Sequence, residues 1–270
     1  MPRHDPLSET TDFLGSQGFS TARFGVILGT GFGACAQAVE QKSVVPYRFI
    51  PHFPAATVKG HEGNLVFGAL GDASVIVMQG RVHLYEGYDI RQIAYPLEAM
   101  HRFGVEVLVV TNAAGGLNPR YEAGDLMVVR HHIHPIGRKL MGDLTAETDG
   151  DPCYDDALRE SLLQISIQRK LPVQQGILAW MPGPSFETRA EISLLKSLGA
   201  DAVTMSTVPE VLAGRRLGMQ TAALSCISNT WTGRKGETVD TGDVVSTVES
   251  SAGQCSDLLA RLVRRMAHRG

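Results

Sequence analysis

Cysteine is scarce in this chain: only Cys35, Cys153, Cys226 and Cys255 occur, and no two form a C-x-x-C pair. That excludes a disulfide-built scaffold, and the thiols read as the reduced ones of a cytoplasmic protein. Aliphatic runs last only a few residues, far short of a membrane span. The opening stretch MPRHDPLSET has no apolar centre of the kind a secretion signal needs. Excess positive charge is missing too: the formal net charge is −3, so neither nucleic acid nor a membrane is an expected partner. Repeats, low-complexity tracts and interdomain linkers are also lacking. What remains is an ordinary globular composition, 43% hydrophobic and 20% charged, over 270 residues. This length buries a large core without disulfides or structural metals. One domain over 1–270 is expected, with 1–20 as an N-terminal helix or arm.

Short apolar runs alternate with amphipathic stretches. Phe24–Leu28, Val75–Met78, Val105–Val110, Leu126–Val129 and Thr221–Ser225 read as buried strands. Ile90, Ile93, Ala94, Leu97 and Met100 share a helical face that Pro96 is expected to kink. Leu158, Leu162 and Ile165 form a second face, and Val244, Val248, Cys255, Leu259, Leu262 and Met266 a long closing helix. The alternation predicts one α/β domain with a largely parallel sheet covered by helices on both sides. Ligands in such folds sit beyond the carboxyl ends of the strands, where the notable segments fall.

Gly29-Thr30-Gly31-Phe32-Gly33-Ala34 follows the first strand, and such glycines let backbone amides and a helix start surround an anion. The run also fits a loose dinucleotide fingerprint, but no acidic residue closes a second strand about twenty positions on. It serves equally as a tight turn. In Gly80 through Tyr88, Arg81, His83 and Tyr85 alternate and so face one way in an extended chain, suiting phosphate and a sugar hydroxyl. A solvated edge strand fits as well. Thr111 through Pro119 brings small residues and two glycines to a strand end, which suits either a ligand or a turn. Met181 through Thr188 presents Phe186 for stacking beside Glu187 as an acceptor; the alternative is a helix start capped by Ser185. Ser206 reads as a ligand or a cap, and Asn229 as a ligand or a turn residue.

In this order and spacing the segments resemble the trimeric purine nucleoside phosphorylases, from about Phe24 to Asn229. The strings Gly60-His61-Glu62-Gly63, Met78-Gln79-Gly80-Arg81, Thr111 through Pro119, Gly183 through Thr188 and Met205 through Glu210 carry the similarity. The branch also includes methylthioadenosine phosphorylases. The resemblance implies a central mixed β-sheet flanked by helices. It also implies phosphorolysis of inosine and guanosine, ribo- or deoxyribo-, by a pentosyltransferase of purine salvage. Thr30, His61, Arg81, His83, Ala113 (through its backbone N–H) and Ser206 would hold phosphate. Tyr85 and Met205 would line the ribose. Phe186, Glu187, Thr204 and Asn229 would hold the purine, with Asn229, Glu187 and His83 as the catalytic groups. A homotrimer is implied, with phosphate as co-substrate and no metal or organic cofactor.

Asn229 favours a 6-oxopurine, since an amide donates to the 6-oxo group where the methylthioadenosine branch has Asp. Three features depart from the family. Asp240-Thr241-Gly242-Asp243-Val244 has no histidine where one is taken to meet the 5′-hydroxyl. Lys139–Cys153 lacks the aromatic segment that covers a neighbour's ribose, and Thr204 replaces a glycine. His131, His132 and His134 invite a metal reading, but no partner set lies near them in sequence, and a polar strand end is the simpler one. The open alternatives are 5′-methylthioadenosine phosphorolysis, a non-catalytic nucleoside-binding homologue and a dinucleotide-binding oxidoreductase. Cys226 reads as a core thiol.

Overall fold

The computed structural model describes residues 5–58, 60–136, 138–144, 152–231 and 239–268. Of the Lys139–Cys153 segment, 145–151 lie outside those residues. After helix α1 (Pro6–Ser16) come β1 (Phe24–Leu28), β2 (Glu40–Pro46), β3 (Asn64–Leu70), β4 (Ala73–Gln79), α2 (Ile90–Arg102) and β5 (Val107–Gly116). Then follow β6 (Leu126–Ile133), α3 (Asp156–Arg169), β7 (Val173–Trp180), α4 (Arg189–Ser197), β8 (Ala202–Thr204), α5 (Val208–Arg216), β9 (Gln220–Thr230) and α6 (Thr241–Ala267).

All five residues of β1 are buried, and they alternate between two cores. Phe24, Val26 and Leu28 join one cluster with Leu158, Leu162, Leu258 and Leu262 of α3 and α6. Ile27 joins the other, with Leu97 and Met100 of α2 and Val211 of α5. A period of two with both phases apolar is what a sheet covered on both faces demands. Helix α2 is capped by Asp89, whose carboxylate accepts from the N–H groups of Arg91 and Gln92. It runs on through Pro96, which is buried.

The sheet is mixed rather than largely parallel. Its order is β2-β3-β4-β1-β5-β8-β7-β6-β9, and β9 pairs again with β5. The β1–β4, β1–β5, β5–β9, β6–β7 and β7–β8 ladders are parallel, and β2–β3, β3–β4, β5–β8 and β6–β9 antiparallel. Val107–Val110 of β5 pair with β1, while Gly115 and Gly116 pair with β8. One strand therefore joins an open sheet to a closed ring of β5, β8, β7, β6 and β9.

Three strands outlast their apolar runs: β6 runs on through Arg130-His131-His132-Ile133, and β5 and β9 extend together. β5 continues through Asn112-Ala113-Ala114-Gly115-Gly116, and β9 through Ser228-Asn229-Thr230, because each ladder supports the other to its end. Thr111–Gly116 is thus strand, not turn. The register slips between Ala114 and Gly115, so that Gly115 faces Asn229 and Ser228 is left out of the pairing.

Candidate active site

One cavity of about 270 Å³ opens where the carboxyl ends of β5, β8 and β9 meet the loops after β1 and β4. Thr30, Arg81, His83, Tyr85, Ala113, Phe186, Glu187, Thr204, Met205, Ser206 and Asn229 all line it. His61 alone of the candidates stands behind the wall, with its Nε2 3.0 Å from the Thr30 hydroxyl.

The loop after β1 is built differently from the expectation. It leads into a short 3-10 turn, Gly33–Ala38, not an α-helix, so no full helix N-terminus faces the cavity. Its glycines mostly serve packing. A Cβ on Gly31, where φ is +79°, would lie 2.6 Å from Cβ of Val248 in α6. Gly29 is the one tied to the cavity: a Cβ there would lie 2.6 Å from the Thr111 carbonyl and 3.0 Å from Nη2 of Arg81.

Arg81 is buried at 2% exposure. Its Nη1 donates to Glu210 at 2.8 Å and to Thr207 at 3.3 Å, and its Nη2 donates to the Thr111 carbonyl. Its Nε is buried with no protein partner. His83 and Tyr85 do face one way with Arg81, but through a turn: His83 is extended and Leu84–Glu86 is 3-10. The rings of His61, His83 and Tyr85 stack in a ladder, with centroids 5.3 Å and 4.7 Å apart.

Glu86 went unnoticed in the sequence, although it lies three residues after His83. Its carboxylate accepts from the His83 backbone N–H and from Nδ1, each at 2.8 Å, and from the N–H and hydroxyl of Thr57. Burial pushes the Glu86 carboxyl up, but the donors from His83 and Thr57 outweigh that and hold it below the ordinary range. For His61, burial dominates and its pKa falls to about 4, so the imidazole is neutral. Its Nδ1 lies 2.8 Å from the Arg81 carbonyl and 3.1 Å from the Arg81 N–H. The carbonyl is the nearer partner, so Nδ1–H donates to it and Nε2 accepts from the Thr30 hydroxyl, holding that hydroxyl at the cavity wall.

At the far end, Glu187 precedes the helix rather than starting it. The cap of α4 is Thr188, reciprocated by Glu191, and not Ser185. Burial raises the Glu187 carboxyl above its ordinary value. Phe186 is half exposed at the mouth. Asn229 is a strand residue, not a turn residue. The unpaired Ser228 donates to its Oδ1 at 2.9 Å, which leaves the Nδ2 donor for the cavity.

The β8–α5 junction carries strain. Thr207 has φ +75° and ψ −52°, and the Val208 N–H donates to the Ser206 carbonyl at 2.8 Å, closing a tight three-residue turn. Thr207, not Ser206, occupies the cap position and makes no side-chain cap bond. The turn presents Ser206 to the cavity. The Thr204 hydroxyl donates to the Ala113 carbonyl at 3.2 Å, tying β8 to β5 beside it.

Val239, Thr241 and Val244 line the cavity where a histidine was sought. Elsewhere, His132 contacts the Tyr154 hydroxyl at 3.0 Å, and burial lowers its pKa to about 4. Among the described residues no cluster of His, Cys, Asp or Glu is arranged to hold a metal. Cys226 is fully buried, and burial pushes its thiol up to about 11. No helix of the described residues is long and apolar enough to cross a membrane.

The Phosphorylase superfamily model matches residues 23–264. The chain belongs to that superfamily. It is 39% identical over 267 residues to purine nucleoside phosphorylase 1 of Geobacillus stearothermophilus, covering 97% of each. With the Mus musculus purine nucleoside phosphorylase it shares 43% over 217 residues, 76% of this chain and 74% of that one. The Schistosoma mansoni purine nucleoside phosphorylase solved with inosine superposes with a TM-score of 0.87 at 32% identity, covering 96% and 95% of the two chains.

Proposed function

We propose that this superfamily member is a pentosyltransferase that cleaves purine nucleosides with inorganic phosphate, yielding the free base and ribose 1-phosphate. One observation carries the reading. A single cavity joins anion donors at one end (Thr30, Ser206 and Arg81) to a carboxylate and an amide donor at the other, Glu187 and Asn229. Phosphorolysis needs that pair of ends and a sugar-sized space between.

The phosphate oxygen attacks C1′ as the bond from C1′ to purine N9 breaks. Positive charge grows on the ribose while the electron pair moves into the purine. The phosphate dianion, held by Thr30, Ser206, Arg81 and the Ala113 N–H, stabilises that charge and then captures it. Neutral His61 holds the Thr30 hydroxyl in place, and that hydroxyl turns from Nε2 to the anion as phosphate binds. Asn229 donates to the purine as N7 and O6 gain charge, and Glu187 accepts from N1–H. Both contacts strengthen in the transition state, so they lower the barrier and not merely the ground state. His83, fixed by Glu86, and Tyr85 face the ribose, Met205 packs against the sugar, Thr204 closes the base end, and Phe186 stacks on the ring. No protein nucleophile takes part. The enzyme works as a homotrimer in the cytoplasm, on 6-oxopurine nucleosides.

Purified protein is to be incubated with inosine, guanosine, adenosine and 5′-methylthioadenosine, with and without phosphate, following free base and ribose 1-phosphate. Phosphate-dependent release of hypoxanthine and guanine is expected. The apolar wall of Val239 and Val244 favours one second reading, a 5′-alkylthio nucleoside, which preferential release of adenine from 5′-methylthioadenosine would select. Binding of base without cleavage of any nucleoside would overturn both.

A further inference from the structure

Arg81 is the only lysine or arginine among the described residues lining the cavity. Its charge is already answered. Glu210, 3% exposed and in the first turn of α5, holds Nη1 at 2.8 Å from behind the cavity wall. Thr207 holds the same nitrogen from the strained turn that also presents Ser206. The anion end of the cavity therefore carries a neutral ion pair rather than a free cation. Resting on the phosphorolysis reading above, we propose that Glu210 competes with phosphate for Arg81 and weakens phosphate and ribose 1-phosphate binding.

A dianion at the anion end of the cavity must share the Arg81 guanidinium with a carboxylate, and both anions sit in a poorly screened interior. Each relieves the desolvation of Arg81, so the gain from the second is smaller than from the first. Such an arrangement lowers affinity for the ground-state anion and for the product that carries the same phosphate. It keeps Arg81 positioned when the site is empty, since an unpaired buried guanidinium is costly. Glu210 is a positioning residue here: it touches Arg81 and no reactant.

Glu210→Gln removes the charge while the amide oxygen still accepts from Nη1, so the fold is retained. Titration calorimetry with inorganic phosphate is expected to show about tenfold tighter binding than wild type, the low end of one hydrogen bond to a charged group. Its kcat falls as ribose 1-phosphate is held longer, while KM for phosphate drops. Glu210→Ala leaves Arg81 unpaired, and its Tm is expected to rise more on saturation with phosphate than wild-type Tm does. Equal or weaker phosphate binding by Glu210→Gln, with no larger phosphate-induced Tm rise in Glu210→Ala, overturns this inference alone. No phosphate binding by wild type or variants overturns it together with the phosphorolysis reading.

Discussion

Replacing Glu86 by glutamine keeps the shape of the side chain and removes one acceptor oxygen and the charge. In the native site the carboxylate takes four donors, two from His83 and two from Thr57. A glutamine oxygen satisfies at most two of these, and its amide hydrogens point at the others. The Thr57 end is exposed, so water replaces what is lost there. The His83 end is not, since the imidazole side chain is 7% exposed and that of Glu86 4%. Leaving a buried donor unmet costs about 1–3 kcal/mol, so a loss of about 2 kcal/mol is expected. For a chain of this size that lowers Tm by roughly 4–8 °C. The ladder of His61, His83 and Tyr85 also loses its anchor, and kcat/KM for inosine falls at least about tenfold, the equivalent of 1.4 kcal/mol. Differential scanning calorimetry and steady-state phosphorolysis test the two effects. A Tm within about 2 °C of wild type together with unchanged kcat/KM would refute the assignment of Glu86 as the anchor of His83.

Gly29→Ala sets a Cβ against the Thr111 carbonyl and Nη2 of Arg81; a loss of about 1–3 kcal/mol and weaker phosphate binding are expected, read by thermal denaturation with and without phosphate. Asn229→Asp keeps the Ser228 hydrogen bond but turns the cavity-facing donor into an acceptor. Inosine kcat/KM is expected to fall roughly ten- to hundredfold while adenosine gains relative to it, and an unchanged inosine-to-adenosine ratio would contradict the role. His61 and His132 are held near a pKa of about 4, against 6.5 when unfolded. Depressed bases leave the unfolded chain binding more protons, so stability is full above about 6.5 and falls as pH drops toward 4, by an order of 3 kcal/mol for each group. Glu86, held low, adds to this loss below the ordinary carboxylate range, while Glu187, held high, opposes it. Urea denaturation at about pH 7.5, 6 and 5 measures the slope, and a flat profile would count against the buried neutral histidines.

Periodicity exposes β1, β4 and β6 because each contains an unbroken apolar run. It misses β2, whose Glu40, Gln41 and Lys42 lie exposed on an edge, β8, only three residues long, and β3 and β7, whose apolar residues are interrupted by Gly68 and by Gln174, Gln175 and Gly176. It stops β5 and β9 early, since the small and polar residues at their ends are held by each other and not by an apolar face. The cavity-lining residues were legible because their types and order match a family; Arg81 and Glu187 alone would have suited a solvated edge or a helix start. Glu86, Thr207 and Glu210 escaped notice for one reason. Each acts through a neighbour, His83, Ser206 or Arg81, and such pairings depend on turns and on strand crossings that linear spacing does not encode.

The ring of β5, β8, β7, β6 and β9 has a mechanical consequence. A strand in an open sheet can peel from its edge, but a strand in this ring cannot leave without breaking ladders on both sides. Asn229 and Ala113 lie where two ring strands adjoin, so thermal opening displaces them only when the whole ring yields. Amide hydrogens of β5 and β9 should therefore exchange with solvent as slowly as any in the molecule. Those of Ser185 and Phe186, just before α4 and with Phe186 half exposed, should exchange faster.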